Sequence, residues 1–190
     1  MRIKDDKKQE ALFRATIRLV NEIGFAASSV SKIAAEAGVS PATLYIYFKN
    51  KEDLIVSTYL EIKRDMSQTL FSGLDETLPV RDALQLVWEE LFTYVTNNRE
   101  EFRFTEQFAN SPFHELVDRD EIELLFKPII TVIARGIEQK IIKDVDFAIL
   151  GAFIFHPIMV LANPNLSYKL ELDNRTVQTS FQLAWDAIKL

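Results

Sequence analysis

Side chains able to do covalent or metal chemistry are few in this sequence and badly spaced for it. There is no Cys, which removes disulfides, thiolate metal sites and a cysteine nucleophile. The two histidines, His114 and His156, are far apart and have no metal-ligand spacing. No glycine-rich phosphate loop occurs, and no Ser-His-acid arrangement has a recognisable local signature. Carboxylates are plentiful but fall mostly at solvated helical positions. An enzyme is therefore disfavoured, and no cofactor or metal is expected. What is concentrated is charge. Residues 1–51 hold 9 Lys and Arg against 5 Asp and Glu, while the remaining residues hold 13 against 23, so the net −6 divides into +4 and −10. A basic segment ahead of an acidic one suits a nucleic-acid-binding head on a ligand-sensing or oligomerising body.

The elements that must position these charges read as helices. Hydrophobic residues make up 48% of the 190 positions and charged residues 26%, the balance of a soluble globular chain. The 5 Gly and 6 Pro mostly sit between long helix-like stretches, which points to an all-α fold. The beginning, MRIKDDKKQEALFRA, carries charges where a secretory signal needs an apolar core. With the absence of Cys, this suits a cytoplasmic, nucleoid-associated protein. Phe147 to Ala162 is almost wholly apolar, but it is shorter than the roughly 20 residues of a membrane span and contains His156 and Pro157. It is expected to be one buried helix with no membrane role.

Between Asp5 and Ile23, the residues Leu12, Ala15, Leu19, Val20 and Ile23 recur at three- and four-residue intervals, predicting an amphipathic helix that Gly24 ends. Phe25 returns the chain to the core, and Ser28 and Ser29 offer N-cap hydroxyls. A second helix then runs over Val30–Ala37 and buries Val30, Ile33, Ala34 and Ala37. Gly38 stops it with left-handed backbone. Ser40 caps a third, with Pro41 at its first position and Leu44 and Phe48 on its inner face. Lys49 and Asn50 make a break before a long fourth helix starting near Lys51. Two short helices joined by a tight glycine turn and packed on a longer one form a helix-turn-helix. The second of such a pair can enter the major groove of a duplex.

The run SKIAAEAGVSPATLYIYFKNKEDL, residues 31–54, resembles the signature of TetR-family regulators. Ile33-Ala34, Ala37-Gly38-Val39-Ser40, Leu44-Tyr45, Tyr47-Phe48 and Lys51-Glu52-Asp53-Leu54 carry the likeness, which covers about residues 8–60. The resemblance implies a dimeric DNA-binding regulator, with a helix-turn-helix domain over residues 1–51 and a helical ligand-binding and dimerisation domain over residues 52–190. It places Ser29, Tyr45, Tyr47 and Lys51 against phosphates, and Ser31, Lys32, Pro41, Ala42, Thr43 and Ile46 at the groove. Ser31 and Pro41 stand where relatives often carry a longer polar or basic side chain. Ala42 and Ile46 can meet a thymine methyl but donate nothing, which leaves Lys32 and Thr43 as the polar readers. Shape, or a basic arm of Arg2, Lys4, Lys7 and Lys8, would supply the rest.

Past helix four, expected to end near Phe71, the pattern predicts a loop over Gly73–Pro79 and helices over Val80–Asn97 and Arg99–Ala109. Further helices are predicted over about Glu121–Ile142, Val145–Leu161 and Arg175–Ile188. In the family the last two long helices pair with their copies. Here Phe147–Ala162, with small residues Gly151 and Ala152, and the stripe Val177, Phe181, Ala184 and Trp185 would make that homodimer. Trp88, Phe92, Phe104, Gln107, Phe108 and His114 are the candidates to line a pocket for an apolar or aromatic effector. Together these readings imply a repressor released from a palindromic operator by a small molecule. The alternative is an activator, or a regulator controlled by a protein partner and no small molecule.

Overall fold

A computed structural model describes residues 6–75, 77–163 and 171–190. The elements run α1 (Asp6–Ala27), α2 (Val30–Glu36), α3 (Pro41–Tyr47), α4 (Lys51–Phe71), α5 (Val80–Asn97), α6 (Arg99–Ala109), a 3-10 turn (Pro112–Leu116), α7 (Arg119–Glu138), α8 (Phe147–Ile154), α9 (His156–Ala162) and α10 (Asn174–Ile188). The fold is all-α; among the described residues the sole bridge pairs Ile142 with Lys189.

The chain forms two compact units. The first holds the residues up to Arg64 together with Asn98–Ile122. Its helix-turn-helix closes over Leu12, Ala15, Ile33, Ala34, Leu44, Phe48 and Leu54, all buried. A second cluster, of Ile17, Val20, Ile55, Ile62, Phe104 and Phe108, joins α1 and α4 to α6. Burying a side chain of this size is worth roughly 1.5–3 kcal/mol, so α6 belongs with α1 energetically although some seventy residues separate them.

Gly24 behaves differently from the expected helix terminator. Its φ of 76° and ψ of 169° lie where essentially only glycine is comfortable, and helical structure resumes beyond it as far as Ala27. The residue bends α1. Ser28 is buried, and its hydroxyl donates back to the Gly24 carbonyl at 2.7 Å; capping of α2 falls to Ser29 alone. Gly38, at φ 68°, ends α2 as expected. The Gly38 N–H bonds the Ala35 carbonyl and the Val39 N–H the Ala34 carbonyl, the paired C-terminal closure that left-handed glycine permits.

The second unit, Asp65–Asn97 with Glu123–Leu190, packs α10 on α8 and α5, and α9 on α5. Two helix boundaries depart from expectation here. α7 stops at Glu138, not Ile142, because Ile142 is needed in the core, where it fills the space a Cβ on Gly136 would occupy. The expected single helix over Phe147–Ala162 is two, broken at Phe155. Pro157 has no N–H to continue the ladder, and the Ile158 N–H turns to the Phe155 carbonyl at 3.1 Å. The Ile154 carbonyl thereby loses its helical donor and accepts the buried Trp88 indole N–H at 2.8 Å. Among the described residues no helix is long and apolar enough to cross a membrane.

Candidate nucleic-acid interface

α3 is seven residues long and is held from one side. Leu44 is fully buried and Phe48, at its C-terminus, nearly so, which turns the opposite side outward. Pro41 and Ala42 are exposed there, with Tyr45 at 56% and Ile46 at 41% exposure. Tyr45 therefore has most of its ring free of the core, whereas Tyr47 is half-buried, 6.3 Å from the Phe48 ring. Ser29, Ser31 and Lys32 at the start of α2 are exposed beside the bend in α1.

Ser29, Lys32, Thr43 and Lys51 already have partners inside the protein. The Ser40 hydroxyl accepts the Thr43 N–H at 3.1 Å and lies 2.9 Å from the Thr43 hydroxyl. Thr43 thus helps cap α3 and offers its methyl more readily than its oxygen. Ser29 accepts the Lys32 N–H at 3.3 Å, while the Lys32 ammonium donates to the Ala27 carbonyl at 3.1 Å. Lys51, half-buried at the first position of α4, donates to the Phe25 carbonyl at 2.5 Å. A lysine has three N–H donors, so this bond fixes the ammonium and leaves two for an anion. The start of α4 itself is less open to a phosphate than its N-terminal position suggests. Asn50 accepts the Asp53 N–H at 2.7 Å, which consumes one donor of the first turn, and the Asp53 carboxylate, accepting the Lys49 N–H at 2.8 Å, adds negative charge there. Of the expected basic arm, Lys7 and Lys8 are in the first turn of α1; Arg2 and Lys4 lie outside the described residues.

Known proteins share this arrangement. The profile described as "Bacterial regulatory proteins, tetR family" matches residues 12–58, and that described as "Tetracyclin repressor-like, C-terminal domain" matches residues 79–189. The crystal structure of a TetR family transcription regulator from Marinobacter aquaeolei VT8 is 32% identical, covers 100% of this chain and 99% of its own, and superposes with a TM-score of 0.89. The chain belongs to the TetR family. Among relatives, the fatty acid metabolism regulator protein of Bacillus subtilis is 28% identical over 156 residues, covering 80% of this chain and 79% of that protein. FadR from Bacillus subtilis, crystallised with stearoyl-CoA, shares the fold at a TM-score of 0.74 and 24% identity, over 94% of this chain and 98% of that one. This protein is thus a transcriptional regulator of a family whose members bind operator DNA and act as dimers.

The six residues expected to line an effector pocket fall in different units of this TetR-family chain. Trp88 and Phe92 are buried in the second unit, stacked on each other with ring centroids 5.7 Å apart, and Trp88 meets Phe181 edge-on. Phe104 and Phe108 are fully buried in the first. The Gln107 side-chain amide donates to the Asn21 Oδ1 at 2.9 Å, and the Asn21 Nδ2 donates to the Glu100 backbone carbonyl at the same distance, so α6 is stitched to α1. His114, in the 3-10 turn, is exposed. An open depression of about 560 Å³ lies within the first unit, lined by Phe25, Glu106, Gln107, Asn110, Ser111 and Pro112; of the six expected residues it takes in Gln107. Burial pushes the Glu106 carboxyl up.

Two residues carry more than their sequence positions suggest. Phe25 sets its ring against Phe104, Phe108 and Phe113, with centroids 5.7, 6.4 and 5.2 Å away. Tyr59 stacks on Phe108 at 4.1 Å and 9°, and the Lys63 ammonium lies over the Tyr59 ring at 5.4 Å. Burial lowers the Lys63 amine to about 8. The only sign of this in the sequence is that Tyr59 and Lys63 stand four residues apart on a helix; their long-range partner on α6 has none.

Proposed function

We propose that this regulator is a homodimeric repressor, acting on the nucleoid in the cytoplasm, that an apolar small molecule releases from a palindromic operator. The outward face of α3 carries the reading: a short helix held by Leu44 and Phe48 presents Pro41, Ala42, Tyr45 and Ile46 to solvent, in a segment of net charge +4. Such a face fits the major groove with direct contacts mainly to thymine methyls. Ser29, Tyr45, Tyr47 and Lys51 would hold phosphates, while Ser31, Lys32 and Thr43 would reach base edges. Backbone contacts would fix register and leave part of the specificity to duplex shape.

The dimer would use the apolar surface of α8 to α10, where Phe147, Ile149, Phe153, Val160 and Leu183 are exposed; of the stripe expected on the last helix, Phe181, Ala184 and Trp185 are instead buried within their own chain, on the opposite side from Leu183. Gly151 has open space within its own chain, room that a partner helix could fill. For the effector, a fatty acyl thioester is the first class to test, because FadR of Bacillus subtilis is bound to stearoyl-CoA and an acyl chain has the apolar character the aromatic residues suit. A ligand releases the operator only if it binds the released arrangement more tightly. DNase footprinting on genomic fragments should reveal a protected inverted repeat, and adding stearoyl-CoA should abolish protection. Protection that no acyl-CoA of any chain length alters would remove the thioester assignment while leaving DNA binding intact.

A further inference from the structure

The bend that follows Gly24 is where the cations of the DNA-facing segment and the aromatic cluster of α6 meet the same few peptide units. Carbonyls at a helix end lack helical donors, and here side chains supply them. Ser28 bonds the Gly24 carbonyl, Lys51 the Phe25 carbonyl and Lys32 the Ala27 carbonyl. Two of these three donors are cations expected at the operator. The ring of the middle residue, Phe25, points the other way, into Phe104, Phe108 and Phe113, and it forms part of the wall of the 560 Å³ depression.

We infer that Phe25 is a positioning residue that couples the aromatic cluster to the phosphate contact made by Lys51. The inference rests on the DNA-binding reading above. Its physical basis is that one residue is held at both ends. The carbonyl anchors an ammonium by a charge-assisted bond, which is stronger and more directional than a neutral one. A flexible four-carbon stem fixed in this way has less freedom to lose when a phosphate docks. The ring is packed against three others while the carbonyl of the same residue holds the ammonium, and the bend at Gly24 immediately precedes both. A displacement at Phe104, Phe108 or Phe113, or a molecule wedged against the depression, therefore shifts the carbonyl that holds Lys51. The arrangement makes phosphate affinity depend on residues that never touch DNA.

A double-mutant cycle on the full chain tests this. The four proteins are wild type, Phe113→Leu, Lys51→Met and the double variant; the probe is a fluorescent 30-bp duplex pool of random sequence at two salt concentrations. Phe113 is only half-buried, so leucine preserves most of its packing, and thermal melts check that each variant is folded. Phe113→Leu should weaken binding about threefold or more when Lys51 is present and by less than twofold in the Lys51→Met background, since uncoupled sites add to within about that margin. Equal losses in both backgrounds overturn the coupling. A folded wild type that binds none of the duplexes sinks the DNA-binding reading and takes the coupling with it, an outcome distinct from additivity. An independent readout needs no destabilising change. In DNA-free wild type the Lys51 ammonium should give a slowly exchanging nitrogen-15 resonance, absent from Lys51→Met and shifted in Phe113→Leu. A Lys51 signal as averaged as that of exposed Lys49 contradicts the bond on which the coupling depends.

Discussion

Two surfaces of this chain leave large apolar side chains in water, and what surrounds them differs. On α3, Tyr45 and Ile46 are exposed among small and polar residues, with Ser29, Ser31 and Lys32 close by in sequence. On α8, the run FAILGAFI contains no polar side chain, yet Ile149 and Phe153 are 52% and 56% exposed, and Leu183 of α10 is 68% exposed. Exposed apolar area alone says that something covers it; the neighbours say what. Apolar islands set among hydroxyls and ammonium groups suit a duplex, whose groove offers methyl groups between rows of phosphates. An exposed apolar run with no polar side chain of its own suits another protein surface, most simply its own copy.

That contrast can be broken at its apolar end first. Phe153→Asp would bury an unpaired carboxylate in the proposed interface, at a cost of about 3 kcal/mol or more. The dimer dissociation constant measured by sedimentation should rise by at least about 100-fold, with helicity unchanged. A variant that still dimerises as tightly as wild type would move the interface elsewhere. At the polar end, Lys51→Ala should weaken binding to every duplex by about tenfold and reduce the salt slope by about one. A changed sequence preference with an unchanged slope would make Lys51 a reader of bases.

Lys63 sharpens the comparison from a different position: it is a half-buried cation of α4 whose ammonium lies over the Tyr59 ring. Its folded-state value, about 8, lies below the ordinary 10.5, so between these values the unfolded chain holds a proton that the folded chain has released. Stability should accordingly rise as pH goes from about 8 to 10.5, while below 8 the full cost of the buried charge is present. Lys63→Met should stabilise the protein at pH 7 by about 1 kcal/mol and flatten that rise, as followed by urea denaturation at pH 7 and pH 9.5. The smallest effect is expected at Thr43, whose hydroxyl is already shared with Ser40. Thr43→Val should relax preference at particular operator positions by about threefold and leave the salt slope alone.

Local chemistry was legible in the sequence wherever a single residue type decides the backbone. Ser29, Gly38, Ser40 and Pro41 placed the turn and caps of the helix-turn-helix within a residue, and the boundaries of α5 and α6 followed from periodicity. Gly24 was recognisable as a special position, but not whether the chain would stop or bend there, because that depends on Phe25 finding Phe104, Phe108 and Phe113 far along the sequence. His156-Pro157 carried the signal of a helix break, and the uninterrupted apolar run masked it. Apolar, aromatic residues were visible as a set, but their division between two units was not, since periodicity marks a buried face without naming what it faces. For the same reason the internal bonds of Lys32, Thr43 and Lys51 and the shielded amine of Lys63 emerge only in three dimensions. A lysine at a helix start reads alike whether it waits for a phosphate or pins a carbonyl.

Selection of duplexes from a random library by the full-length protein, at physiological salt, tests the central claim most directly. A dimer reading DNA through α3 should enrich inverted repeats whose half-sites are centred about 10 bp, or one helical turn, apart or a multiple of it, and Ile46→Ala should alter the preferred bases within each half-site. Enrichment of no sequence over the starting library, or of unpaired sites that Ile46→Ala leaves unchanged, would contradict it.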